Sequence, residues 1–205
     1  MSDERGYHHG DLRRAILDAA LRVIAADGPA AVSLRELARQ AQVSHAAPAH
    51  HFGSRTGLLT AIAVEGYELL GEALLAPPAP SFLETGARYV RFALEHPAHF
   101  QVMFSPDLYE VDSPELAAAR SATRAALRQA AASAGSSGSS GSAGSSGEGG
   151  GGGRARQLAA WSLAHGFATL WSSGSLVEAG GARDPVALFR SVAREAFRDR
   201  SVPRS

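Results

Sequence analysis

Residues 33–55 read SLRELARQAQVSHAAPAHHFGSR, and this stretch decides how the N-terminal part of the chain folds. Apolar residues recur there at helical spacing, and polar residues occupy the opposite face. Ser33 followed by Glu36 predicts a capping box at the start of a first helix. Ser44 is predicted to cap a second helix, which ends near Phe52. Because helices this short are not stable alone, the pattern is typical of a helix-turn-helix whose second helix enters the DNA major groove.

A longer set of positions, within about residues 8–60, extends this interpretation. They are the Ala-rich helix 12–26, Gly28, Ser33 before Leu34-Arg35-Glu36-Leu37-Ala38, Val43-Ser44, His51-Phe52, Ser54-Arg55 and Leu58-Leu59. Together they resemble the DNA-binding domain of the TetR family of bacterial transcription regulators. The resemblance implies an all-α fold, in which a three-helix helix-turn-helix domain is followed by a helical ligand-binding and dimerisation domain.

Three positions depart from the family's usual pattern. Gln42 occupies a turn position that the family usually fills with glycine, so a left-handed backbone there would cost roughly 1 kcal/mol. Ala49 stands where the family commonly has a tyrosine that touches a phosphate. Pro48 lacks a backbone N–H, but near the first turn of a helix it forfeits at most one hydrogen bond.

The composition excludes several classes of protein. The chain has 205 residues, no Cys, and 20 basic residues that balance 20 acidic ones, and every basic residue is Arg. There is no disulfide framework and no thiol chemistry, and no apolar run of about twenty residues could span a membrane. The first ten residues lack the apolar segment of a signal peptide, so the cytoplasm is the expected compartment.

The order of helices and breaks predicts two domains. Residues 1–56 are predicted to form the DNA-binding domain, and residues 57–205 a dimerisation and effector-binding domain, linked by a long helix from about Thr56 to Leu75. Residues 135–153 contain ten Gly and seven Ser, so they are expected to form a disordered insertion. Asp184 followed by proline predicts the N-cap of the last helix.

The candidate DNA contacts lie in and around the second helix of the motif. They are Arg35, Ser44, His45, Ala46, Ala47, His50, His51 and Arg55. For His51, packing of the helix is an equally good interpretation, and Arg35 is read equally well as part of a solvated face. The family resemblance implies that Arg55 binds a phosphate.

Two further sets are predicted in the second domain. Aromatic and histidine side chains are candidates to line an effector pocket, although ordinary core packing accounts for each one singly: Tyr67, Tyr89, Phe92, Phe100, Phe104, Tyr109, Trp161 and His165. Surplus apolar surface on the two terminal helices predicts a four-helix bundle across a two-fold axis, with these residues at the dimer interface: Leu158, Trp161, Phe189, Val192, Ala193 and Phe197. Trp161, His165 and Gly166 also match the W-x-x-x-H-G pattern of one TetR C-terminal subtype.

The chain is therefore predicted to be a homodimeric, sequence-specific DNA-binding regulator, a repressor released by a small-molecule effector. An effector-independent regulator, or an activator that works through a protein partner, is the alternative. An enzyme is disfavoured because no nucleophile–base pair or phosphate-binding loop is present. His96 and His99 form H-x-x-H, but a metal needs three or four converging ligands, so neither a metal nor a cofactor is expected.

Overall fold

The computed structural model describes residues 4–78, 81–136, 149–176 and 184–198, and the regular elements within these ranges are helices. The prediction of an all-α fold is confirmed. The α-helices are α1 Glu4–Asp27, α2 Leu34–Gln40, α3 Ala47–Phe52, α4 Arg55–Leu75, α5 Phe82–Glu95, α6 Pro97–Met103, α7 Pro114–Ser136, α8 Gly149–Ser172 and α9 Pro185–Ala196. Within the described ranges, every helix is too short or too polar to cross a membrane.

The chain forms two compact units. The N-terminal unit consists of the described residues up to Leu69 together with His96–Ala122, and the C-terminal unit consists of Leu70–Glu95 and the described residues from Thr123 onwards. The division does not coincide with the predicted boundary after residue 56, because α4 continues past it and α6 returns to pack in the N-terminal unit.

The core of the N-terminal unit holds the helix-turn-helix against its supporting helices. Its buried apolar side chains come from α1, α2, α4, α6 and α7 and, for Val32 and Tyr109, from the connecting segments: Ile16, Leu17, Ala19, Ala20, Ile24, Val32, Leu37, Leu58, Leu59, Ile62, Ala63, Ala98, Val102, Tyr109 and Leu116. Burial of each large side chain stabilises the unit by about 1.5–3 kcal/mol. The short helices α2 and α3 therefore owe their stability to this packing and not to helix propensity.

Helices α5, α8 and α9 pack together in the C-terminal unit. The Phe189 ring of α9 is buried and contacts the Phe167 ring of α8, with the ring centroids 5.4 Å apart. A Cβ atom on Gly86 would lie only 2.8 Å from Cζ of Phe189, so glycine at this position allows α5 to approach the ring closely. Arg190 of α9 donates to Glu84 of α5 at 2.8 Å.

Several helix ends agree with the sequence prediction. The Asp184 side chain accepts hydrogen bonds from the backbone N–H groups of Val186 and Ala187, so its predicted role as an N-cap is confirmed. The long linking helix is observed as α4. The segment after His96 forms the helix α6.

The structure corrects the extent of the predicted disordered insertion. Helix α7 continues to Ser136 and α8 begins at Gly149, so both ends of the 135–153 tract are helical. Residues 149–153 are all glycine, and each costs about 1 kcal/mol relative to alanine in a helix. They are added to a helix that the following residues already form, and extending a helix is much easier than nucleating one. Residues 137–148 lie outside the described residues, and disorder there stays a prediction.

Candidate nucleic-acid interface

The turn between α2 and α3 has a left-handed residue where the sequence predicted one. Gln42 has a φ of 55°, and its N–H donates to the Arg39 carbonyl at 3.2 Å. The next N–H, that of Val43, donates to the Ala38 carbonyl at 3.0 Å. These two bonds form a Schellman motif, which satisfies the last carbonyls of α2 and redirects the chain toward α3. Gln42 bears the strain of this motif because it is not a glycine.

The two predicted serine caps are wrong in their details. Ser33 is the N-cap residue of α2, but its side chain makes no capping hydrogen bond. Glu36 is hydrogen-bonded instead to Arg39 and Gln40, and these bonds lower the pKa of Glu36 to about 2. The N-cap of α3 is Ala46, which has no side chain able to cap, and Ser44 contributes only its carbonyl, to the N–H of Ala47 at 3.0 Å.

The predicted contact residues of α3 separate into an exposed face and an inner face. Ser44, His45, Ala46, Ala49 and His50 are exposed, whereas Pro48 is buried. Ala47 is half-buried at the start of the helix. The inner face is therefore the side that fixes the helix, and the outer face is free to meet a ligand.

His51 belongs with the inner face. Its ring is half-buried and lies 6.3 Å from the Phe52 ring. The Arg13 guanidinium of α1 lies over the Phe52 ring, 5.2 Å from its centroid, which joins the end of α3 to α1. The half-buried ring of His51 fits the packing interpretation, and contact of His51 with DNA stays a prediction. Arg35, on the first turn of α2, is exposed.

Arg55 is engaged by the protein itself. Its Nε donates to the Val32 carbonyl at 3.1 Å and its Nη2 to the Pro29 carbonyl at 2.7 Å. Two of the five guanidinium N–H groups thus tie the start of α4 to the short 3-10 turn Pro29–Ala31. Contact with a phosphate stays a prediction for this residue, and its structural role was not visible in the sequence.

The sequence did not reveal the contacts that fix the position of α3 relative to α4. Gly53 ends α3 with a φ of 71°, and the Ser54 side chain accepts from the Gly57 N–H at 2.9 Å, which caps α4. A Cβ atom on Gly57 would overlap the backbone carbonyl oxygen of Phe52. Glycine at this place lets the two helices meet backbone to backbone. The available signal was a glycine in the first turn of a long helix, where glycine is unfavourable.

The predicted effector-pocket residues fall in both units. In the N-terminal unit, the Tyr67 and Tyr109 hydroxyl groups both donate to the Met103 carbonyl, at 3.2 Å and 2.9 Å. The Arg120 guanidinium donates to the Tyr109 hydroxyl at 2.6 Å and lies over both tyrosine rings. Burial raises the pKa of Tyr109, and the nearby Tyr67 raises it further, against the lowering effect of Arg120. The Phe100 and Phe104 ring centroids are 5.0 Å apart.

The C-terminal unit contains the other members of the set. The Tyr89 hydroxyl and His165 Nδ1 are 3.0 Å apart, and burial lowers the pKa of His165. The Trp161 ring lies 5.8 Å from the His165 ring, and the Phe92 side chain is fully buried. These contacts bring together three of the predicted residues, with two polar groups among large apolar ones.

Half of the predicted dimer-interface residues lie inside the single chain, which corrects the prediction. Phe189 and Ala193 are buried in the C-terminal unit, and Phe197 is half-buried against the Phe82 ring at 5.2 Å. These side chains are covered because α5 packs against the apolar side of α9, which the sequence had assigned to a dimer partner. The large apolar side chains that remain exposed on the described parts of α8 and α9 are Leu158, Trp161, Leu170 and Val192.

His99 lies next to a carboxylate but not in a metal cluster. His99 is buried, with Nε2 without a hydrogen-bond partner and 3.9 Å from Glu65 Oε2. The His96 and His99 rings are 5.7 Å apart. Among the described residues, no group of three or more His, Cys, Asp or Glu side chains is placed to hold a metal.

Glu65→Gln is expected to lower the free energy of unfolding at pH 7 by about 1–2 kcal/mol, after allowance for solvent screening. His99 and Arg14, whose Nη1 is 2.6 Å away, hold the pKa of Glu65 at about 2, although burial raises it. Because this pKa is below its ordinary value of 4.5, the stabilisation is complete above pH 4.5 and is lost as the pH falls toward 2. Thermal denaturation from pH 7 to pH 2 tests this.

Asp18→Asn is the matched control, because Asp18 also binds Arg14 but its side chain is 46% exposed, against 24% for Glu65. It should cost less than about 0.5 kcal/mol. An equal loss in both variants, or a loss in Glu65→Gln that does not diminish in acid, would contradict the assignment.

Two family models match the chain. One, described as bacterial regulatory proteins of the tetR family, matches residues 16–62, which include α2 and α3. The other, described as a tetracyclin repressor-like C-terminal domain, matches residues 82–196. The latter spans more than half of the chain.

Solved and curated proteins agree with these matches. A protein with unknown function from Rhodococcus sp. RHA1 is 32% identical, with 95% of this chain and 97% of that chain covered and a TM-score of 0.72. A tetR-family regulatory protein from Rhodococcus RHA1 is 23% identical, with 90% and 94% covered and a TM-score of 0.64. The HTH-type transcriptional regulator BetI from Rhizobium meliloti (strain 1021) is 53% identical over 49 residues. That match spans 24% of this chain and 24% of the length of the curated relative.

A helix-turn-helix supported by α1 and α4, followed by a larger helical region, defines a class of bacterial DNA-binding regulators. The chain belongs to the TetR family and is a transcriptional regulator. Membership in the subtype with the W-x-x-x-H-G pattern stays a prediction.

Proposed function

We propose that this regulator is a homodimeric repressor that binds a double-stranded operator through α3 and is released by a small-molecule effector. The observation that carries the proposal is the exposed outer face of α3, held on a rigid core by its inner face. A protein of this kind acts in the cytoplasm, where bacterial DNA is. It needs no cofactor and performs no catalysis.

The exposed apolar side chains of α8 and α9 support a dimer. Leu158 and Trp161 are one helical turn apart on α8, and Val192 lies on the adjacent helix α9. A two-fold interface would place each of these side chains against the same patch of the partner. Two recognition helices would then reach half-sites about 34–36 Å apart, one helical turn of DNA.

Release by an effector follows from linkage. A ligand that binds more tightly to a dimer with a different spacing must weaken DNA binding, and DNA must weaken ligand binding by the same factor. Helix α4 is the natural connection because its residues belong to both units. The Tyr89–His165 pair among apolar side chains has the composition of a ligand-binding site, in which a few polar groups orient the ligand.

Selection of bound fragments from a genomic library, followed by footprinting, tests operator binding. Two protected half-sites of related sequence, one helical turn apart, would support the proposal. Screening small molecules for dissociation of that complex tests effector release. A chain that binds DNA specifically but is released by no ligand would be an effector-independent regulator. A chain without DNA preference that turns over a substrate would be an enzyme.

DNA affinity is expected to fall as the pH rises from about 6 to about 8. Residues 1–60 contain seven Arg and six acidic residues, a net charge of only +1, whereas DNA affinity normally draws on cation–phosphate contacts. His45, just before the recognition helix, and His50, on it, are exposed, and an imidazolium binds a phosphate better than a neutral ring does.

Anisotropy titrations across pH and salt measure the effect. His45→Ala and His50→Ala should each flatten the pH response and reduce the salt slope by about 0.9. His96→Ala, in the segment before α6, is the control and should change neither. An affinity independent of pH in the unsubstituted protein would show that these histidines do not contact phosphates.

A further inference from the structure

The outer face of the recognition helix has an unusual chemical character. Ala46, Ala49 and His50 are exposed and follow the i, i+3, i+4 spacing of a single helical face. Ser44 and His45 precede them and are exposed as well. This face consists of Ala46, Ala49 and His50, and residues 46–50 contain no Arg, Lys, Asn, Gln, Asp or Glu.

This composition restricts how the face can recognise bases. Bidentate hydrogen bonds to guanine require Arg or Lys, and those to adenine require Asn or Gln. An alanine methyl group can recognise only one feature of the major groove, the C5-methyl group of thymine, by apolar contact. Because Ala46 and Ala49 have short side chains, the backbone of α3 can approach the base edges closely.

The packing of α3 keeps these methyl groups on the outside. Pro48 is buried on the opposite face, and the Phe52 ring is held by the Arg13 guanidinium at 5.2 Å. The Gly53 N–H donates to the Ala49 carbonyl at 2.8 Å, which closes the last turn of the helix. Rotation of α3 about its axis would expose Pro48 and Phe52, so the same two methyl groups face outward in the free and DNA-bound protein.

We propose that Ala46 and Ala49 read thymine C5-methyl groups, so that each operator half-site contains thymine at the positions facing these residues. The proposal rests on the DNA-binding function proposed above and adds the base class that this interface selects. His50 lies next to Ala49 and Ala46 on the same face and is the phosphate contact proposed above.

Deoxyuridine substitution in the selected operator tests the proposal, because uracil differs from thymine only by the missing methyl group. Each thymine is replaced in turn in a duplex, and the affinity of the full-length protein is measured by anisotropy. At a contacted thymine we expect affinity to fall about fourfold per half-site, as follows from the burial of one methyl group. When both half-sites are changed, affinity should fall about fifteenfold. Thymines outside the footprint should show no effect.

Ala46→Gly and Ala49→Gly complete the test. Each variant should lose the discrimination between thymine and uracil at its own position, whatever its overall affinity. Arg35→Ala is the control, because Arg35 lies outside this face, so any change in affinity that it causes should be the same for every sequence and leave the thymine-to-uracil ratio unchanged.

The possible outcomes are distinct. Thymine-specific loss that disappears in a glycine variant supports the proposal. Specific DNA binding that is insensitive to uracil, or a uracil effect that persists in both glycine variants, overturns this proposal and leaves the proposed function intact. Absence of any DNA preference overturns both.

Discussion

Gly57→Ala is expected to abolish specific DNA binding and to lower the free energy of unfolding by about 3 kcal/mol. The added Cβ atom would overlap the Phe52 carbonyl oxygen, which belongs to the last residue of α3. This oxygen is part of the backbone and already accepts from the Ser54 N–H at 2.7 Å. It cannot rotate away as a side chain can, so the recognition helix itself must move relative to α4.

Gly71→Ala is the matched control, because it is the same change in the same helix. There the added Cβ atom would lie 3.6 Å from the Thr123 hydroxyl oxygen, an ordinary contact distance. This variant should be unchanged or more stable by up to about 1 kcal/mol, since alanine is the better helix former. Thermal denaturation and anisotropy with the selected operator measure both. An unfolding temperature and affinity of Gly57→Ala equal to those of the unsubstituted protein would refute the close contact.

Leu158→Glu is expected to convert the proposed dimer into a monomer at micromolar concentration and to remove operator binding. Leu158 is 59% exposed in the single chain, the largest exposed fraction among the large apolar side chains that the structure describes. In a two-fold interface the substitution removes one leucine from each subunit. Burial of each leucine contributes about 1.5–3 kcal/mol to the free energy of association. The dissociation constant should therefore rise by about 10²- to 10⁴-fold, before the cost of placing two carboxylates in the interface is added.

Leu75→Glu is the corresponding control. Leu75 ends α4 and is 48% exposed, so the same substitution introduces the same charge at a similarly exposed leucine. It should leave the dimer intact. Light scattering and sedimentation give the mass of both variants over a concentration series. A monomeric unsubstituted protein, or equal dissociation by both variants, would count against an interface on α8 and α9.

Several features that depend only on neighbouring residues were predicted, although the Ser33 and Ser44 caps were not observed. The left-handed Gln42 follows from the need to turn the chain within a few residues, and the Asp184 cap follows from an acidic residue just before a proline. The long helix α4 and the breaks at glycine and proline follow from periodicity and backbone restriction. These interactions lie within a few residues, so the local sequence contains their causes.

The candidate interface was predicted in position but not in its supporting contacts. The exposed His45, Ala46 and His50 were on the predicted list. Arg55 binds backbone carbonyls more than twenty residues earlier, and the glycine contact at the start of α4 involves the end of α3. Both arise only when separate helices are brought together, and a list of residue types contains no information on that approach.

The sequence by itself determined that the protein is helical, where the long linking helix and the last helix lie, and that a helix-turn-helix is present. These properties follow from side-chain periodicity, caps and breakers, whose effects act within one or two turns. The tertiary structure alone decided which apolar faces remain exposed. The periodicity of α9 placed Phe189 and Ala193 at a dimer interface, but in the structure α5 covers both side chains. The physical reason is that burial is a property of the distant residues that cover a side chain, whereas periodicity shows only that it must be covered.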